Sequence, residues 1–131
     1  MLELSIGISY LHRAMQRQAS NRHIIVLQAF TFLFQYRQLI YEQSTKHPGA
    51  VGATMRQQAE YNLGRAFQQL GLFTFAAMYY ENAIRISEVV GTREMGKRDL
   101  VFECAHNLVL MFTLSGNFEA AKEVTEKYLM I

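Results

Sequence analysis

The side chains best suited to chemistry are four histidines (His12, His23, His47 and His106), one cysteine (Cys104) and 11 acidic residues. Zinc sites draw on closely spaced Cys and His pairs, and none of these residues falls at such a spacing. Cys104 and His106 invite a nucleophile–base reading. Residues two apart on a helix do not face each other, however. The acids are scattered over polar positions. No glycine-rich phosphate loop follows a strand, and no strand is evident. Nothing assembles a nucleophile, a base and an oxyanion donor. The chain is therefore expected to be no enzyme, with no catalytic residue, metal site, cofactor or small-molecule substrate.

The chemistry that remains is recognition, and the elements that would position it centre on Ala59 to Ser87. This stretch reads as two helices folded back on each other. Helices cross closely only where small residues lie between them, and Gly64, Ala66, Ala76 and Ala83 supply these. Phe67, Leu70, Phe73 and Tyr80 fill the flanks. Gly71 marks the stop of the first helix, because a left-handed terminal residue costs glycine little. Asn62, Leu63, Phe67, Gly71, Phe73 and Ala76 recur as Asn107, Leu108, Phe112, Gly116, Phe118 and Ala121, always 45 residues on. The pattern resembles the tetratricopeptide (TPR) helical hairpin, whose period is about 34 residues. The excess fits the polar segment Gly91 to Asp99. Repetition at a fixed offset predicts a solenoid in which each hairpin covers the apolar face of its neighbour. The last hairpin departs from the pattern, with Val109 in place of Gly64 and Thr125 in place of Tyr80.

The remaining chain fits this frame. A length of 131 residues predicts one domain over 1–131, and half of the residues are apolar. Charged residues make up only 18%, which implies that some surface is covered by a partner. A net charge of +2 is too mild to point to nucleic acid. The densest basic group (Arg93, Lys97, Arg98) is broken by Glu94 and Asp99 and reads as a solvated loop. One cysteine allows no internal disulfide and suits a reducing compartment; Cys104 reads as a buried small hydrophobe. No secretory signal is visible.

Residues 2–18 predict a helix with Leu4, Ile8, Leu11 and Met15 on one stripe. A turn follows at Ala19 to Arg22, with Ser20 or Asn21 as N-cap. His23 to Gln43 predicts a long helix that is apolar all round. Gln28, Gln35 and Arg37 keep it short of the roughly 18 uninterrupted residues a membrane span needs. It is expected to be buried on several sides, by earlier repeats or by another subunit. Ser44 to Gly52 is a loop. The final helix offers pairs such as Glu123–Lys127, and the apolar ending Tyr128 to Ile131 either folds back or docks on a partner. The expected fold is all-α: a TPR-like α-solenoid of about six helices in three antiparallel hairpins, at about 2–43, 53–90 and 97–130.

In a TPR stack the first helices of successive hairpins line the concave face. That places Gln58, Tyr61, Asn62, Arg65 and Gln69 as candidate partner-binding residues, with Arg65 able to pair with an acidic partner. The plainer alternative is that Asn62 and Asn107 cap or bridge helices and Arg65 is simply solvated. Co-chaperone TPR domains clamp a carboxylate with several Lys, Arg and Asn residues. The equivalent face of the last hairpin offers His106, Leu110 and Thr113, an incomplete clamp.

The run from Tyr61 to Leu72, followed by Ala76 to Ala83, resembles the C-terminal part of the TPR subunit of transcription factor IIIC. Gln28 to Tyr36, Asn107 to Asn117 and the ending Tyr128 to Ile131 are similar too. The resemblance implies a fungal or other divergent member and a C-terminal piece of a longer chain. It implies a nuclear, non-catalytic scaffold supporting complex assembly and RNA polymerase III initiation at tRNA-type genes. The implied partners are other subunits of transcription factor IIIC, and transcription factor IIIB as a further one. No direct DNA contact and no membrane are expected. A peptide-binding adaptor of the co-chaperone kind is the alternative.

Overall fold

Helices persist in this chain until a residue able to take positive φ interrupts them. In the computed structural model, which describes residues 3–9 and 22–130, the breaks between the long helices contain Gly49, Gly71, Gly91 with Gly96, and Gly116, all at positive φ. The helices are residues 3–9 (α1), Arg22–Ser44 (α2), Ala50–Leu70 (α3), Phe73–Val90 (α4), Thr92–Met95 (α5), Val101–Leu114 (α6) and Phe118–Val124 (α7). A 3-10 turn, Gly96–Arg98, follows α5, and a π-helical turn, Thr125–Leu129, follows α7. No strand occurs among the described residues. The helix beyond six is α5, inside the segment expected to be a loop. Leu11, Met15 and the turn at residues 19–21 lie outside the described residues.

The repeat read from sequence has matching local structure at both copies. Gly71 sits at φ 82 and donates its N–H to Gln68 O, while Leu72 N–H reaches back to Phe67 O, both at 3.0 Å. This is the Schellman arrangement, which satisfies the last carbonyls of α3. Gly116, at φ 80, bonds Thr113 O and Asn117 N–H bonds Phe112 O in the same way at the end of α6. The Asn117 side chain then caps α7 by accepting from Ala120 N–H. Between α3 and α4 the crossing is close: a Cβ on Gly64 would stand 2.7 Å from the Tyr80 ring. Ala76 and Ala83, on α4, are fully buried.

Asn62 on α3 donates to the Tyr36 hydroxyl on α2 (3.1 Å), bridging the first helix of the central hairpin to the helix before it. Asn107, at the corresponding position of α6, acts on the Tyr80 hydroxyl of α4 by favouring its ionised form.

The main core runs from α2 through α3 and α4 to α6, around Tyr36, Leu63, Phe67, Tyr80, Cys104 and Leu108. Phe67 stacks on Tyr79 (5.3 Å between centroids) and meets Phe30 edge-on (5.1 Å). Cys104 is buried, as its apolar surroundings suggested, and burial pushes its thiol up to about 12. On α2 only one stripe is buried: Ile25, Ala29, Leu33, Tyr36 and Ile40. Within this segment α2 packs against α3 and, at Ala29 and Leu33, beside Gly7 of α1, and Ile24, Leu27 and Phe34 on its other faces are exposed.

Gly91 to Asp99 is tied down rather than free. Arg93, Lys97 and Arg98 are exposed, but Met95 is buried. Asp99 accepts from Gln57 Nε2 (2.9 Å), from Ser87 Oγ (2.5 Å) and from Val101 N–H (3.2 Å). Gln57 Oε1 in turn accepts from Leu100 N–H (3.0 Å). At the far end Tyr128 folds back on the core and donates to Glu88 on α4 (2.5 Å). Lys127 joins Glu88 (3.7 Å) rather than Glu123, while Lys122 and Glu126 form an i, i+4 pair (3.9 Å).

Candidate partner-binding surface

An α-helix advances by about 100° per residue, so α3 presents two polar sides. Tyr61, Arg65 and Gln69 lie on one. They line a cleft of about 570 Å³ together with Gln68 and Asn107 of α6. The Arg65 guanidinium lies 5.8 Å from the centre of the Tyr61 ring, a cation–π geometry. Tyr61 leans on Tyr80, whose hydroxyl donates to Gln68 Oε1 (2.6 Å). Arg65 and Gln69 are exposed, so the cleft offers one guanidinium and several amides to an incoming chain.

The other two candidates stand apart from that cleft. Asn62 is engaged with Tyr36, the bridging role weighed above for it and for Asn107. Gln58 is exposed but lies outside the cleft lining. His106, Leu110 and Thr113 are exposed on α6.

Arg56 and Glu60 occupy the opposite side of α3, between α2 and α4. The Glu60 side chain has no exposed surface, and Arg37 of α2 reaches its Oε1 through Nε (2.8 Å) and a terminal nitrogen (2.7 Å). The Tyr41 hydroxyl bonds the same oxygen. Oε2 is buried without a hydrogen-bond partner among the described residues. Arg37 also lies over the Tyr41 ring, 4.5 Å from its centre. Burial, then the bond to Glu60, raise the Tyr41 hydroxyl well above its usual value. Sequence reading missed this cluster. Its three members lie 19 and 23 residues apart, and Arg37 showed only as an interruption of an apolar run.

Among the described residues, neither that cleft nor the Arg37–Tyr41–Glu60 cluster brings together a nucleophile, a base and an oxyanion donor. Among the described residues, no group of three His, Cys, Asp or Glu is placed to hold a metal ion. None of the described helices is long and apolar enough to cross a membrane.

No protein-family profile matches the chain. Individual relatives do. The Schizosaccharomyces pombe protein named transcription factor tau subunit sfc4 is 38% identical over 135 residues, covering 97% of this chain and 13% of that protein. The Saccharomyces cerevisiae transcription factor tau 131 kDa subunit is 35% identical over 134 residues, covering 100% of this chain and 11% of the relative. The human general transcription factor 3C polypeptide 3 is 34% identical over 127 residues, covering 96% and 13%. All three are transcription factor IIIC subunits. The chain belongs to this subunit family. Its 131 residues span about an eighth of the length of these transcription factor IIIC relatives.

Proposed function

We propose that this segment is a non-catalytic protein–protein interaction scaffold, a TPR-like module of a transcription factor IIIC subunit. It supports assembly of that complex in the nucleus and initiation by RNA polymerase III at tRNA-type genes. The observation that carries the reading is homology to transcription factor IIIC subunits along nearly the whole chain. The repeated helix-ending turns support a solenoid, which displays extended surface instead of enclosing a substrate. We read residues 1–131 as one such unit near the C-terminal end of a longer protein.

The partners follow from the same reading: other transcription factor IIIC subunits first, transcription factor IIIB as a further candidate. Tyr61, Arg65 and Gln69 supply a polar groove on one side. Ile24, Leu27, Phe102 and Leu114 supply exposed apolar surface elsewhere. The weak net charge supports no direct DNA contact. A co-chaperone-like carboxylate clamp is disfavoured, because Arg65 is the one cation among the residues lining the groove.

The test is affinity capture from nuclear extract, with the captured proteins identified by mass spectrometry. Recovery of other transcription factor IIIC subunits is expected. Recovery of transcription factor IIIB components alone would move the role to recruitment. Chaperones alone, after a control for misfolded bait, would favour the adaptor.

A further inference from the structure

Three arginines share one cleft on the side of α3 away from the polar groove. Arg37 of α2, Arg56 of α3 and Arg85 of α4 line a cleft of about 320 Å³ whose floor includes Glu60. Only Arg37 is neutralised, by the buried Glu60 carboxylate. Arg56 reaches the Ser44 hydroxyl and Arg85 the Asn82 amide oxygen, each at 3.3 Å. Among the described residues neither has a carboxylate within ion-pair distance. Arg56 and Arg85 thus bring to the cleft two positive charges that no carboxylate among the described residues meets at ion-pair distance. The far wall of the cleft is apolar, formed by Ile86 and Val89, and Val89 is 80% exposed.

We infer that this cleft is a docking site for an acidic segment of a partner polypeptide. One Asp or Glu carboxylate sits between Arg56 and Arg85, and a neighbouring apolar side chain lies on Ile86 and Val89. The inference rests on the scaffold reading above and names a surface and a partner chemistry for it. Planar guanidinium groups match carboxylates bidentately, and arginine is less strongly hydrated than lysine at such sites. Arg37 is locked from behind by Glu60 and Tyr41, so that side of the cleft is set before the partner arrives.

Nucleic acid fits the cleft less well. The next groove along α4 carries Glu81, Glu88 and Glu123 beside Arg85 and Lys127. A phosphate chain running past Arg85 would meet those acids; a short acidic segment ending at the cleft would not.

The probe is a fluorescein-labelled peptide of repeating Glu-Glu-Leu, compared by anisotropy with its Gln-Gln-Leu counterpart, on the 131-residue chain. The Glu peptide is expected to bind and the Gln peptide to bind at least about tenfold more weakly. Charge-assisted hydrogen bonds of this kind are each worth about a factor of ten. The double variant Arg56→Gln/Arg85→Gln should therefore lose about tenfold or more. Lys97→Gln removes a charge from the solvated turn and should change affinity by less than about twofold. Circular dichroism confirms that each variant is folded. Amide shifts on titration should cluster on Asn82 to Val90. Equal binding by the double variant, absence of binding, shifts centred on Tyr61 and Arg65, or tighter competition by a short DNA duplex would each overturn the inference. Subunit capture is repeated with the double variant. Capture intact with no peptide effect sinks the cleft alone; failed capture by the parent chain with peptide binding retained sinks the scaffold reading instead.

Discussion

Glu60 is a carboxylate with no exposed surface whose donors, Arg37 and Tyr41, both converge on one of its oxygens. Removing a partner from a buried ion pair strands the other charge, at about 3–5 kcal/mol when both are fully buried. Arg37 is 37% exposed, so screening lowers that figure. Arg37→Leu is expected to cost about 2–3 kcal/mol in urea unfolding. Adding Glu60→Gln should recover most of it, since the stranded charge is gone. A double variant no better than Arg37→Leu alone would mean the pair is not coupled. Steric fit sets a second expectation at this scale. Gly64→Ala places a methyl 2.7 Å from the Tyr80 ring, and the Tyr80 hydroxyl is held by Gln68. The loss should be about 1–3 kcal/mol, read as a lower thermal midpoint.

At the scale of elements, Asp99 joins three of them: Gln57 of α3, Ser87 of α4 and the start of α6. Asp99→Ala removes those bonds and leaves the Gln57 amide partly unsatisfied. The expected cost is about 2–4 kcal/mol, with faster hydrogen exchange at Leu100 and Val101. Exchange unchanged there would show that the segment is held by Met95 alone. Sequence reading saw Asp99 only as a charge breaking a basic run, because its partner Gln57 lies 42 residues away. The turns at Gly71 and Gly116 were legible because the residue that makes each turn is also the residue that needs positive φ. On α2 the buried stripe was hidden: apolar residues all round the helix give no phase, and the packing of α3 decides which face is covered. The polar groove was legible in part. Tyr61, Arg65 and Gln69 share a helix face, so spacing alone gathers them, whereas Asn62 is drawn off by Tyr36 on another helix.

Over the whole molecule, burial keeps several weak acids protonated. Tyr36, Tyr41, Tyr79 and Tyr80 are all raised from 10.0, chiefly by burial, and Cys104 from 9.0 to about 12. In the unfolded chain these groups ionise at their ordinary values, while the folded chain holds their protons. The contribution of these groups to stability should be level below about pH 9 and fall as pH climbs towards 12. Urea midpoints at pH 8 and above pH 10 test this; a flat profile, or native tyrosines titrating near 10, would contradict it. The two hairpins also distribute bulk differently. Gly64 faces Tyr80 in the central one, while the corresponding positions of the last carry Val109 and Thr125. A chimera that moved α6 alone into the place of α3 would set Val109 against Tyr80, two bulky groups where one fits. Exchanging both helices together keeps each large residue opposite its small one. For recombination, then, the heritable module in this chain is the hairpin, and a single helix is not portable.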